Sequence, residues 1–538
     1  MLPSSKVFSN LEACKPEAVM LEIVSFFPQE TNRMANAAKI KRILFIFIWI
    51  IEYLMQMYNK KPKNIPIFVE IFITMRRNFI LSFLFIALLA GAQPALRLPS
   101  IYSDHAVLQQ NSDVKVWGWA PCTWPVKISC SWNPADTVSV MPGNDCSWTA
   151  TIKTPKASNT PYSITFVSNK QKLTINDILI GEVWLCSGQS NMEYNFNDGP
   201  IDVGDAVAQS ANNEIRFFQI SHLYNNFPQT NCDGEWKICS PETVKDMSVV
   251  GYYVGKRINE AAKSPVGLIA SYWGGTCVQV WMPKEVFDKN EALNKAANNL
   301  SPVNWAPIAP SVLYNAMIFP IVPYRIAGAV WYQGEGNTEK AQDYGKLFTA
   351  MIKSWREVFD NDFPFYFVQI APWSGYGGIS GAILREQQES ALSLPKTGMI
   401  GVGDLVDNIQ DIHPKLKQAV GNRLADLVLK EQYGVSNLQP YHPRFSDFKI
   451  DRNKVNVSFT SIGKLSCKDK EIKSFQLAGE DKVFYPATAV LEKNGTITLT
   501  SKQVKSPVAV RYCFTNDAMP NLFDTNGLPL LPFRTDKW

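Results

Sequence analysis

Between about residues 95 and 178, apolar and polar side chains alternate in short runs. Val114-Lys115-Val116-Trp117-Gly118-Trp119, Val126-Lys127-Ile128-Ser129 and Tyr162-Ser163-Ile164-Thr165-Phe166 are separated by Pro, Gly and Asn. A period of two predicts half-buried strands, and short strands broken by turn residues predict an antiparallel sandwich over 93–178. From about 179 the rhythm changes. Ile178 to Cys186, Val266 to Tyr272, Ile326 to Tyr332, Phe365 to Ile370 and Met399 to Val402 are apolar without alternation, and helix-period stretches lie between them. The clearest helices run from about Tyr344 to Phe359 and from Leu416 to Tyr433. In the second, Leu416, Val420, Leu424 and Leu427 form one apolar stripe. Buried strands alternating with helices predict an α/β domain over 179–437, a three-layer arrangement with a parallel sheet in the middle. Alternation returns in Lys454 to Phe459, Thr496 to Leu499 and Val508 to Tyr512, so a second β region is expected over 438–538.

The first 92 residues do not fit this scheme. Met75-Arg76-Arg77, the apolar run Phe79 to Ala90 and the small residues Ala90-Gly91-Ala92 have the layout of a secretory signal over about 75–92. Residues 1–74 then read as an extension upstream of the true start. The apolar run Ile43 to Ile51 has nine residues, against the roughly 20 needed to cross a bilayer. The expectation is an exported protein, periplasmic or secreted, with no stable membrane association once the signal is removed. The charge agrees with this division. Residues 1–92 hold 11 Lys or Arg and 6 Asp or Glu, the whole formal excess of +5, which leaves 42 of each for 93–538. A neutral body without a basic stripe argues against nucleic acid as partner. Export permits disulfides, but nine cysteines follow the signal, so at least one is unpaired within the chain. No Cys/His spacing suits zinc, and four histidines in all make a multi-His metal centre a poor expectation.

In a parallel sheet the chemistry sits in loops at the carboxyl ends of strands. The first strand leads into Cys186-Ser187-Gly188-Gln189-Ser190-Asn191-Met192. A serine on such a strand-to-helix turn can present its hydroxyl above the sheet, or can simply cap the helix. The last strand leads into Asp407-Asn408-Ile409-Gln410-Asp411-Ile412-His413-Pro414. A histidine there can serve as general base if a carboxylate fixes its tautomer. Two other strand ends carry possible oxyanion donors: Trp273-Gly274-Gly275-Thr276, with unobstructed backbone, and Gln333-Gly334-Glu335-Gly336-Asn337, with side-chain amides.

These segments, Gly188-Gln189-Ser190-Asn191-Met192, Trp273-Gly274-Gly275-Thr276, Trp331 to Asn337 and Asp411-Ile412-His413-Pro414, closely resemble the motif series of the sialate O-acetylesterases, a family of SGNH (GDSL-like) hydrolases. Ser103 to Gln110 resembles the family's opening, and Gly527-Leu528-Pro529 with Pro532 to Asp536 its ending, so the resemblance spans about 96–538. It implies an SGNH fold, Ser190 as nucleophile and His413 as general base and later acid. Oxyanion donors would be the backbone N–H groups of Ser190 and Gly275 and an amide from Gln333 or Asn337, with Asn337 the first choice. No metal or organic cofactor is implied.

Two departures bear on the site. The broader SGNH pattern places its acid three residues before the histidine, where this chain has Gln410, so the acid is Asp411 or, as in related carbohydrate acetylesterases, Glu335. Gly336 stands where the family commonly has serine. Of the remaining candidates, Arg385 can meet a substrate carboxylate or form a helix-surface ion pair. His105 reads as structural, and nothing suggests partners for His222 or His442. The expected activity is removal of O-acetyl groups from sialic acids, with the 9-O-acetyl group as the expected target. The same chemistry on acetylated xylan or another polysaccharide is the alternative. A non-catalytic glycan-binding protein and a transacylase are the readings from other classes.

Overall fold

The non-alternating apolar runs become five adjacent strands of one sheet. The computed structural model describes residues 95–460 and 463–538; the signal segment and the apolar run at Ile43 lie outside them. Seven strands form the sheet: β1 (Gln171–Gly188), β2 (Asn212–Ile220), β3 (Gly234–Cys239), β4 (Val266–Tyr272), β5 (Gly328–Tyr332), β6 (Phe365–Val368) and β7 (Thr397–Ile400). Their order is β7-β6-β5-β1-β4-β2-β3. Neighbours are parallel except β2 with β3. The four main helices are α1 (Val249–Ala262), α2 (Ala341–Val358), α3 (Ser380–Glu389) and α4 (Lys417–Tyr433). Trp184, Cys186, Leu268, Ala270, Val330 and Tyr332 share a buried cluster with α1 and α4. Val183, Leu185, Ile269, Trp331 and Phe367 share one with α2 and α3. Both faces are covered, which is why these strands show no alternation.

The chain first builds outward on the β4 side of β1 and then, from β5 onward, on the other side. That reversal leaves a crevice above the carboxyl ends of β1, β4 and β5. The long segment between β7 and α4 must return from the sheet edge to reach it. Arg423 on α4 anchors that segment through paired contacts of 2.8 and 2.9 Å with Asp404.

The expected boundary at 178–179 falls inside a single strand. β1 pairs antiparallel with Ser158–Ser168 over its first half, to Ile180, and parallel with β4 from Glu182 to Gly188. Trp148 and Phe166 of the N-terminal region lie in the same buried cluster as Trp331 and Phe348 of the α/β region. The two regions therefore share a core. Asp177 takes a left-handed backbone (φ 52°) within the strand. His105 Nδ1 at 2.6 Å and Arg216 Nη2 at 2.9 Å hold its carboxylate, a structural post for His105. One disulfide, Cys122–Cys146, closes the N-terminal region, and the seven other cysteines of 93–538 are unbridged.

At the other end, Arg444–Asp451, Lys454–Thr460, Ile497–Thr500 and Thr488–Leu491 form one four-stranded sheet. Phe475–Ala478, Phe484–Pro486, Ala509–Tyr512 and Phe533–Arg534 form a second. Val455, Val457, Ile497 and Leu499 from the first meet Phe475, Leu477, Val510 and Tyr512 from the second in one apolar cluster. No helix among the described residues is long and apolar enough to cross a membrane.

Candidate active site

The turn after β1 and the segment before α4 meet above the sheet. Ser187 is buried, and its hydroxyl donates to the Ser271 carbonyl, which ties β1 to β4. Ser190 is the next serine, and His413 Nε2 lies 2.8 Å from its Oγ. Neither serine caps the short helix Ser190–Glu193, whose N-cap residue is Gln189 with no side-chain cap. The Gln189 side chain instead bridges to the loop after β5. Its Oε1 accepts from the N–H groups of Gly334 at 3.2 Å and Gly336 at 3.0 Å.

The backbone of the loop after β4 passes beside Ser190. Gly275 has φ 73°, a left-handed conformation that favours glycine, and an added Cβ would come within 2.8 Å of the Trp305 ring. Gly274 N–H donates to Glu193 Oε2 at 2.6 Å, so the loop is pinned to the Ser190 helix. His222 joins the same arrangement, 3.0 Å from Glu193 Oε1 and stacked on Trp273 at 4.4 Å between ring centroids. Among the described residues, the N–H groups of Ser190 and Gly275 meet no acceptor. Gly336 is needed for a close approach, because a Cβ there would stand 2.5 Å from the Thr276 carbonyl oxygen.

The acid candidates differ in what they touch. Asp411 Oδ1 accepts from the His413 backbone N–H at 2.9 Å and lies 3.9 Å from His413 Nδ1. Glu335 is buried, and its Oε1 accepts from Asn191 Nδ2 at 2.6 Å rather than from the imidazole. Burial, and then the neighbouring Lys417 cation, hold His413 below the ordinary histidine value, while Asp411 pulls the other way. Burial pushes the Glu335 carboxyl up. It also pushes the Lys417 ammonium down to about 7, against the pull of Glu335.

A cavity of about 570 Å³ opens over Ser190 and His413, walled by Gly275, Leu300, Trp305 and Ile308 and edged by Glu335 and Glu339. The amide candidates stand behind this wall. Gln333 Nε2 donates to the Thr276 carbonyl and to Asn337 Oδ1, so both of its N–H bonds are committed, which corrects its expected oxyanion role. Asn337 is buried outside the lining residues, with Nδ2 donating to Gln279 Oε1 at 3.0 Å. Arg385 needs correction too. It neither contacts the cavity nor forms a surface ion pair. It is 1% exposed, and its guanidinium donates to the carbonyls of Thr515 and Asn516 in the C-terminal region. Asn191, Glu193 and Lys417 escaped the sequence reading. A polar residue beside an apolar stripe looks solvent-exposed until the fold places it. No group of His, Cys, Asp and Glu among the described residues is arranged to hold a metal.

Residues 180–430, which carry every site segment named above, match the family described as carbohydrate esterase, sialic acid-specific acetylesterase. The chain is 26% identical over 499 residues to the sialate O-acetylesterase of Rattus norvegicus, covering 79% of this chain and 90% of that protein. It is 25% identical over 486 residues to the human enzyme of the same name, covering 81% and 92%. A solved carbohydrate acetylesterase from Xanthomonas citri superposes with a TM-score of 0.75 at 31% identity, over 82% of this chain and 100% of that one. The chain belongs to the sialate O-acetylesterase family of carbohydrate esterases, which are carboxylic ester hydrolases.

Proposed function

We propose that the chain removes O-acetyl groups from sialic acids through an acetyl-enzyme on Ser190. The 2.8 Å approach of His413 Nε2 to Ser190 Oγ, at the floor of the cavity, carries the reading. Ser190 Oγ attacks the ester carbonyl as its proton passes to His413 Nε2. The carbonyl oxygen becomes an oxyanion beside the N–H groups of Ser190 and Gly275. Collapse breaks the bond to the sugar oxygen, which leaves with the proton from His413. Water then attacks the acetyl group, gives its proton to His413, and acetate departs as Ser190 recovers it. Asp411 is the orienting acid, because it alone of the two candidates approaches Nδ1.

Substrate choice turns on charge. No Lys or Arg lines the cavity, while Glu335 and Glu339 do. A sialic acid presenting its 9-O-acetyl group meets this wall with the end farthest from its carboxylate, so the anion stays outside. The same lining favours a second reading, a neutral acetylated polysaccharide such as xylan. Acetate release from 9-O-acetylated sialic acid and from acetylated xylan at matched ester concentration separates the two. The expected result is preference for the sialic acid and loss of release in Ser190→Ala; preference for xylan overturns the substrate, and release surviving Ser190→Ala overturns the mechanism.

We also read both flanking β regions as sandwich-like modules and the protein as exported. The Met75–Ala92 layout and the Cys122–Cys146 bridge support export. Sequencing the amino terminus of the protein made in a secreting host tests this, with cleavage near Ala92 expected.

A further inference from the structure

A buried lysine lies beneath the Ser190–His413 pair. Lys417 opens α4 and has no exposed surface. Its ammonium donates to Asn191 Oδ1 and lies over the rings of Tyr194 at 4.8 Å and Tyr332 at 5.5 Å. An ammonium has only donors and a carboxylate only acceptors. Lys417 on one side and Glu335 on the other therefore fix which way the Asn191 amide points. The oxygen faces Lys417, and Nδ2 donates to Glu335 Oε1 at 2.6 Å and to the Ile412 carbonyl at 3.1 Å. Asn191 follows the nucleophile in sequence, and Ile412 precedes the histidine. One side chain thus joins the two segments that must meet, and its orientation depends on the lysine.

We propose that Lys417 is a positioning residue of the hydrolysis, holding Asn191 so that its amide locks the His413 segment to the Ser190 turn. The proposal rests on the reading of Ser190 and His413 as the reacting pair. The charged or titratable groups facing Lys417 are Glu335 from the loop after β5, Asp407, Asp411 and His413 from its own approach segment, and Asp202 from the stretch between β1 and β2. Of these, Glu335 leaves Oε2 buried without a partner, and the Lys417 charge adds to its backbone and Asn191 hydrogen bonds in offsetting the burial of that carboxyl. The Lys417 charge also bears on His413, lowering its affinity for a proton. A side chain that acted there by packing alone, without its charge, would leave the proton affinity of His413 unchanged.

The test uses the full chain and 4-nitrophenyl acetate, with Ser190→Ala as the zero. Lys417→Met is expected to lower kcat on the order of 10- to 100-fold, the scale of a small misplacement of reacting groups, with KM within about threefold of wild type. The acid limb of its kcat/KM profile should move to higher pH, because His413 loses a neighbouring cation. Asn191→Asp keeps the side-chain volume and a partner for Lys417 but removes both amide donors, and the same loss in kcat is expected. Wild-type kcat in Asn191→Asp overturns the proposal, as does a Lys417→Met profile whose acid limb does not move. If Lys417→Met fails to fold, the Asn191→Asp arm decides alone. Activity surviving Ser190→Ala would remove the catalytic pair itself and the proposal with it; activity lost there but retained in both other variants would remove only the positioning role.

Discussion

His413 leads how the site answers to pH, with the Lys417 ammonium, pushed down to about 7 by burial, beside it. His413 must be neutral to take the serine proton. Burial and Lys417 hold its proton affinity below the ordinary histidine value of 6.5, so the base stays competent as the medium turns acidic. The acid limb of kcat/KM is therefore expected below pH 6.5, checked by initial rates across pH with an uncharged acetyl ester. Asp411 acts in the opposite sense, since its charge favours the imidazolium. Asp411→Asn should move the limb to still lower pH and reduce kcat, the reverse of the shift expected for Lys417→Met. The loss should fall short of the ~10⁴-fold seen when a directly hydrogen-bonded triad acid is neutralised, because Asp411 stands 3.9 Å from Nδ1. A loss of that full size would mean that the carboxylate closes onto the ring during the reaction. The motifs made Ser190, His413 and Asp411 legible, but not the residues that support them. Asn191 appears only as part of the nucleophile motif, and nothing in the sequence marks Lys417 as buried.

At the scale of elements, legibility followed burial. Strands covered on both faces announce themselves as apolar runs, and β4 spans the same residues as its run, Val266 to Tyr272. β2 escaped because Arg216 interrupts it, a buried arginine that the sequence does not show to be paired with Asp177. α1 escaped because Gly251 and Gly255 weaken the helical pattern; both sit where a larger side chain would press on Cys186 or Leu268. The stripe of α4 was read one residue off at its start, since Lys417 and not Leu416 occupies the buried position below Val420. The junction between β7 and the C-terminal region gives an elemental prediction. His442 is buried, with Nε2 accepting from Gly401 N–H at 2.9 Å and Nδ1 donating to the Pro529 carbonyl at 3.0 Å. Burial lowers its pKa from 6.5 to about 3. Between those values the unfolded chain binds a proton that the folded chain refuses, so stability rises with pH across the window and is lost as pH falls through it. Thermal unfolding should show Tm dropping as pH falls from 6.5 toward 3, with a shallower slope in His442→Gln; equal slopes would mean that other groups govern the acid loss.

For the whole molecule, the flanking β regions are part of what holds the site in place. The N-terminal region cannot be removed at 178 without cutting β1, the strand that ends at the nucleophile turn. The C-terminal region grips α3. Arg385 reaches into it for the carbonyls of Thr515 and Asn516, Asn516 returns its side chain to Gly381 N–H and the Tyr376 carbonyl, and Arg534 pairs with Glu386 at 2.8 Å. Deleting 438–538 would take away both carbonyl acceptors of the Arg385 guanidinium, and hydrogen bonds to a charged group contribute about 1.5–3 kcal/mol each. That is a large share of the roughly 5–15 kcal/mol by which a domain is stable. It would also remove the His442 contact at the end of β7, from which the His413 segment departs. The expectation is one cooperative unit. Calorimetry on the intact protein should give a single transition, and a chain ending at 437 should be insoluble or inactive even with Ser190, Asp411 and His413 all present. Two well-separated transitions, or an active truncated chain, would show that the α/β layer holds its catalytic loops without help, and that the C-terminal sheets serve some purpose other than support.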